Sequence, residues 1–112
     1  MPDNILLKSA MTKDNVLSWS HSKRIIQVEL TAREIILECF SAKKYDTTDL
    51  IVEPVSYHDE DWYLWIVAAK HSNQNIYDIW TLNLTSMSLN HGHYNIANSN
   101  DLNAIIAQKK RS

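Results

Sequence analysis

Gly92 is the only glycine in a chain of 112 residues. Loops that cradle phosphates need several glycines, because their backbone must take positive φ and approach the anion closely. The chain therefore has no Walker A loop, no dinucleotide-binding GxGxxG, no kinase glycine loop and no GxSxG nucleophile elbow. The single glycine is expected in a turn at Asn90-His91-Gly92, where positive φ is most useful. Cys39 is equally alone, which excludes an intrachain disulfide, a thiolate zinc knuckle and a CxxC redox pair. The stretch from Met1 to Lys8 lacks the basic start and apolar run of a signal peptide, and no segment nears the roughly 20 apolar residues of a membrane span. A cytoplasmic protein with no membrane partner is the expectation. A net charge of -2 offers no field for nucleic acid.

The length predicts a single domain spanning residues 1–112. It divides into a poorly defined N-terminal segment (1–22), an α+β core (23–109) and a frayed tail (110–112). In the first segment, Asp3 or Asn4 is placed to cap a short helix carrying Ile5, Leu6 and Ala10. Thr12 or Asp14 then starts another turn with Val16, Leu17 and Trp19. From Lys23 to Leu30, Ile26, Val28 and Leu30 alternate with Gln27 and Glu29, the pattern of a half-buried strand. Thr31-Ala32-Arg33-Glu34 reads as a capping box that opens a helix over 32–44. Ala32, Ile35, Ile36, Cys39 and Phe40 form its apolar stripe, which makes Cys39 a core thiol.

Three strand-like runs follow, Leu50–Tyr57, Trp62–Lys70 and Ile76–Met87, with a short fourth at His93–Ile96. Pro54 sends the first run toward a sheet edge. A C-terminal helix starts at Ser99 or Asn100 and turns Leu102, Ile105 and Ile106 inward. A hairpin turning about Asn73 sets Ile66 opposite Trp80 and Leu64 opposite Leu82 beneath the capped helix. Tyr63, Trp65, Tyr77 and Ile79 then share the other face. Monomers seldom leave such a patch in water, so these four residues are the expected interface of a homodimer.

Few residues carry chemistry. His91 and His93 flank the glycine, but no third ligand has a diagnostic spacing, His58, Asp59 and His71 being the bare possibilities, and solvated loop histidines are the plainer reading; no metal or cofactor is expected. Asp78 is the one acid on the face shared with Trp80 and Leu82. Among apolar side chains its carboxyl pKa would rise, which makes it the candidate catalytic acid or base; the plain alternative pairs it with Lys70 or with water. Trp80 and Trp62 are the matching candidates for ligand binding. The aromatics on two strands look like a base-stacking platform, but the adjoining Asp59-Glu60-Asp61 turn has the wrong sign for nucleic acid.

The elements sum to an α+β domain with an antiparallel sheet of three to four strands, mixed if residues 23–30 join it, one packed helix and a short C-terminal helix. Helix followed by a curled meander resembles the cystatin and nuclear-transport-factor-like folds. The resemblance lies in topology and transfers no residue. The functional expectation is a small non-enzymatic interaction module that self-associates and binds a protein partner through the aromatic face or the acidic turns. The alternative is a pocket protein or enzyme for a small hydrophobic ligand, using Asp78.

Overall fold

A computed structural model describes residues 11–111. The expected helix around Ile5, Leu6 and Ala10 lies outside them. The first element, α1 (Lys13–Ser18), is capped by the Thr12 hydroxyl, which accepts from the Asn15 amide at 3.3 Å. The second, α2 (His21–Cys39), starts when the Ser20 hydroxyl accepts from the Lys23 amide. Arg24 on α2 donates from Nε to the Trp19 carbonyl and from a terminal nitrogen to that of Leu17, both at 3.0 Å. These bonds satisfy carbonyls at the end of α1 and fix the corner between the helices.

Residues 23–30 are helix, where alternation predicts a strand. Inside α2 the buried residues are Val28, Thr31, Ala32, Ile35 and Ile36, at three-and-four spacing. Ile26, Val28 and Leu30 satisfy a period of two over so short a window, yet no turn residue separates them from the helix that follows. Thr31 is therefore no cap. It is fully buried in mid-helix, and its hydroxyl donates to the Gln27 carbonyl at 2.9 Å. Cys39 is exposed, and the helix stops there, five residues before the expected end, with Phe40 extended.

The rest is a four-stranded antiparallel meander in the order β1 (Tyr45–Pro54), β2 (Leu64–His71), β3 (Tyr77–Asn83), β4 (Ser88–Ile96). β1 pairs with β2 alone, and Pro54 sits at the end of this edge strand, as its missing N–H requires. The helix α3 (Ser99–Lys109) is capped by Asn98, one residue before the expected Ser99 or Asn100, its side chain accepting from the Asn100 and Asp101 amides. The fold is α+β, with α2 on one sheet face and α3 on the other.

The hairpin register differs by one residue from the expected one. Ile66 lies opposite Thr81, Val67 opposite Trp80 and Trp65 opposite Leu82. The amide of His71 donates to the Ile76 carbonyl at 2.8 Å, so the loop runs from Ser72 to Asn75 with Asn73 left-handed. A one-residue slip exchanges the faces. Trp65, Val67, Ala69, Trp80 and Leu82 pack with Val28, Ala32, Ile35 and Ile36 of α2, and Tyr63 packs beside them. Ile66, Ala68 and Ile79 pack with Leu102 and Ile106 of α3, and Tyr77 lies at their margin. The four residues expected to form one association face are thus split between two cores.

Gly92 is also displaced from its expected role. The β3–β4 turn is at Leu84-Thr85-Ser86-Met87, and Gly92 lies within β4 without positive φ. A Cβ there would strike the ring of Tyr94, so glycine makes room for a side chain rather than for a turn. Residues 110 and 111 are anchored. Lys110 pairs with Glu53, and Arg111 donates to Asp61 at 2.8 Å and from its amide to the Val55 carbonyl.

Candidate functional site

The α2 face of the sheet ends in a polar cluster around Asp78. This carboxylate is 3% exposed and sits at the His71 end of the hairpin. Its Oδ2 accepts from the Tyr45 hydroxyl at 2.5 Å, and its Oδ1 accepts from the Asn95 amide at 2.8 Å. His71 Nε2 lies 2.9 Å from Oδ1 but is poorly aligned for a hydrogen bond.

Each donor is delivered by a specific backbone feature. Tyr45 begins β1 and pairs with His71, which closes β2. Asn95 is brought in by a bulge in β4. Tyr77 pairs with Ile96 but Ile79 with His93, so Tyr94 and Asn95 together oppose Asp78. Asn95 has φ of 61°, a left-handed value that asparagine tolerates better than most residues.

The electrostatics reverse the expectation for Asp78. Burial pushes its carboxyl pKa up, but the Tyr45 hydroxyl, the Asn95 amide and His71 outweigh that and hold it below the ordinary value. Asp78 is therefore ionised at neutral pH, and a proton-donor role at that pH is lost. Its neighbour is neither Lys70 nor bulk water. Burial pushes the Tyr45 phenol far up, and the hydrogen bond to Asp78 adds to the effect.

The cluster opens into a cleft of about 420 Å³, lined by Phe40, Lys44, Tyr45, His71, Tyr94 and Asn95 around the acid. Trp80 does not line it but is buried behind two of the lining rings, stacked on Phe40 at 5.7 Å and edge-on to Tyr45 at 5.5 Å. Trp62 is not part of it. That residue precedes β2 at the opposite end of the strand and lines a separate groove with Met11, Leu84 and Met87. The structure thus places Trp80 beside Asp78 and leaves Trp62 about seven strand residues away, on the order of 20 Å. His91 has positive φ, both it and His93 are exposed, and the described residues contain no group of three metal-ligating side chains.

Phe40, Lys44, Tyr45 and Asn95 are absent from the residues singled out for chemistry in the sequence, and His71 enters there only as a possible metal ligand. Tyr45 falls before the expected Leu50–Tyr57 strand, and His71 and Asn95 fall where a turn and a strand end are expected. Only the correct register and the bulge bring them together.

The architecture defines a small α+β domain, an antiparallel meander covered by one helix on each face. Residues 35–100 match the family described as large polyvalent protein associated domain 24, and the chain belongs to that family. Neither curated proteins nor solved structures give a match. The matched span runs from the second half of α2 to the first residues of α3 and contains every residue lining the cleft.

Proposed function

We propose that this domain is a non-enzymatic interaction module that self-associates through the outer ridge of α2. Its carrying observation is that Ile26, Leu30 and Leu37 stand 55%, 38% and 44% exposed in helical register, although both sheet faces are covered. With Lys23 and Arg33 they follow alternating steps of three and four, the spacing of a helix-pairing seam. The occupant we assign is a second copy of α2, running antiparallel.

Charge supports that orientation. The first turn of α2 carries Lys23 and Arg24 and no acid, and its last turn carries Glu38 and no base. This gradient opposes the helix dipole, which favours acids at the N-terminus and bases at the C-terminus. An antiparallel copy sets the basic end of each helix beside the acidic end of the other. Three apolar side chains make a small seam, so the dimer belongs to the weak class of association. The acidic turn contributes less, since Asp61 is already bound by Ser56 and Arg111.

Sedimentation equilibrium over a concentration series reaching the millimolar range is the test. The expected result is a reversible dimer that Leu30→Glu abolishes with the helical signal unchanged. A wild-type chain that stays monomeric throughout overturns the reading. A second reading, a small-ligand site at Asp78, is favoured by the cleft volume, which falls within the roughly 300–1,000 Å³ of small-molecule sites.

A further inference from the structure

We infer that the cleft between Phe40, Lys44, His71 and Tyr94 binds a small aromatic oxyanion, an aryl carboxylate or aryl phosphate. The inference rests on the second reading above, that this cleft is a ligand site.

The argument starts from what the cleft has left to offer a ligand. Its one acid, Asp78, is out of reach, with its side chain 4% exposed, Oδ2 taken by the Tyr45 hydroxyl and Oδ1 by the Asn95 amide. A carboxylate so occupied cannot select a cation. His71 is 17% exposed, with Nε2 buried beside Asp78, and it lines the cleft as a further ring wall.

Lys44 supplies the charged donor. It forms no ion pair among the described residues; its ammonium instead lies 4.9 Å over the Phe40 ring and 5.4 Å over that of Tyr45. Two rings hold the cation at the cleft without neutralising it. Lys44 and His71 belong to different elements, one in the turn after α2 and one at the end of β2, and line the same cavity.

The walls supply the aromatic half of the specificity. Phe40 is partly buried and Tyr94 is 59% exposed, so both have ring surface left to cover. A planar ring laid against them places an attached oxyanion toward the Lys44 ammonium. A charge-assisted hydrogen bond from the Lys44 ammonium, with the ring held between aromatic walls, fixes its orientation.

Two-dimensional NMR titration of the full chain with five separate probes tests this. The probes are benzoate, phenyl phosphate, inorganic phosphate, benzyl alcohol and benzylamine. Saturable shifts at the amides of Lys44, His71 and Asn95 are expected with benzoate or phenyl phosphate, and whichever binds tighter identifies the anion. Inorganic phosphate and benzyl alcohol should each bind at least about tenfold more weakly, since each lacks half of the recognition. Lys44→Met should weaken the aryl oxyanion by about tenfold and Lys44→Arg should restore it. Leu30→Glu should change nothing. Binding of benzyl alcohol or benzylamine as tight as that of benzoate overturns the anion assignment while leaving a ligand site in place. Silence from all five probes overturns both.

Discussion

The hydroxyl of Tyr45 on β1 meets the carboxylate of Asp78 on β3 at 2.5 Å, across the full width of the intervening strand β2. Two strand spacings are roughly 10 Å, about the combined reach of a tyrosine and an aspartate side chain. The span also requires that little project from β2 beneath it. The residue paired with Asp78 is Ala69, fully buried on the same face. A short side chain on the central strand is thus what allows the two outer residues to touch.

Tyr45→Phe removes only the donor and leaves Asp78 with Asn95 and His71. The expected loss is about 1–3 kcal/mol, the cost of depriving a buried charged acceptor of a partner. Ala69→Leu should cost at least as much, because it overfills a packed site and separates the pair. Chemical denaturation of the two variants and the double variant checks this. If both act on the same contact, their effects will fall short of additivity. Full additivity would mean that Ala69 does not serve the bond.

The pH dependence follows from two shifts of opposite sign. Burial raises the Asp78 carboxyl, but its hydrogen-bond partners bring it below its ordinary value in the folded state. Its contribution to stability is complete above the unfolded value, near 3.9, and is lost as pH falls through the folded value. The Tyr45 phenol is raised, chiefly by burial and then by Asp78. Its contribution holds below the unfolded value, near 10, and is lost as pH rises toward the folded one. Asp78→Asn should therefore be less stable than wild type at neutral pH, with the gap closing below about pH 4. A constant gap across that range in urea titrations would contradict an ionised Asp78.

The sequence carries the class of the fold because hydrophobic periodicity is local. The meander, the edge position of the Pro54 strand and the inward residues Leu102, Ile105 and Ile106 all follow from short-range patterning. Faces and registers do not. One additional loop residue between His71 and Ile76 moves Trp65 from one core to the other. The site needs still more, since the bulge at Tyr94-Asn95 has no glycine to announce it and relies on asparagine. Asp78 was legible because an acid in an apolar alternation stands out. Its partners were not, because a tyrosine, a histidine and a backbone amide look ordinary until strand pairing sets them side by side.

The start of α2 gives the simplest check on that account. Ser20 accepts from the Lys23 amide, whereas Thr31 lies three turns further in with its hydroxyl spent on the Gln27 carbonyl. Glu34 does not complete a capping box; one of its carboxylate oxygens is buried without a hydrogen bond. Ser20→Ala should cost about 1 kcal/mol through loss of the cap. Glu34→Gln should cost nothing or stabilise slightly, since it relieves a charged atom without a donor. Thermal melts in which Glu34→Gln is the more damaging of the two would restore a helix start at Thr31.

Trp65 separates the core from the ridge. It is 4% exposed beneath α2, and its indole N–H donates to the Trp62 carbonyl at 2.9 Å. Truncating a buried tryptophan costs about 3–5 kcal/mol, and a glutamate adds an uncompensated buried charge. Against a total stability of roughly 5–15 kcal/mol, Trp65→Glu should abolish or nearly abolish folding at room temperature. Trp65→Phe keeps most of the volume and should fold with a lowered midpoint, losing the indole hydrogen bond and part of the packing. Leu30→Glu, on the solvent side of α2, should instead leave the midpoint within about 0.5 kcal/mol of wild type. Circular dichroism and urea midpoints of the three variants decide the matter. A folded Trp65→Glu with a near-native midpoint would place this tryptophan on the surface and return the aromatic sheet face to the partner-binding candidates.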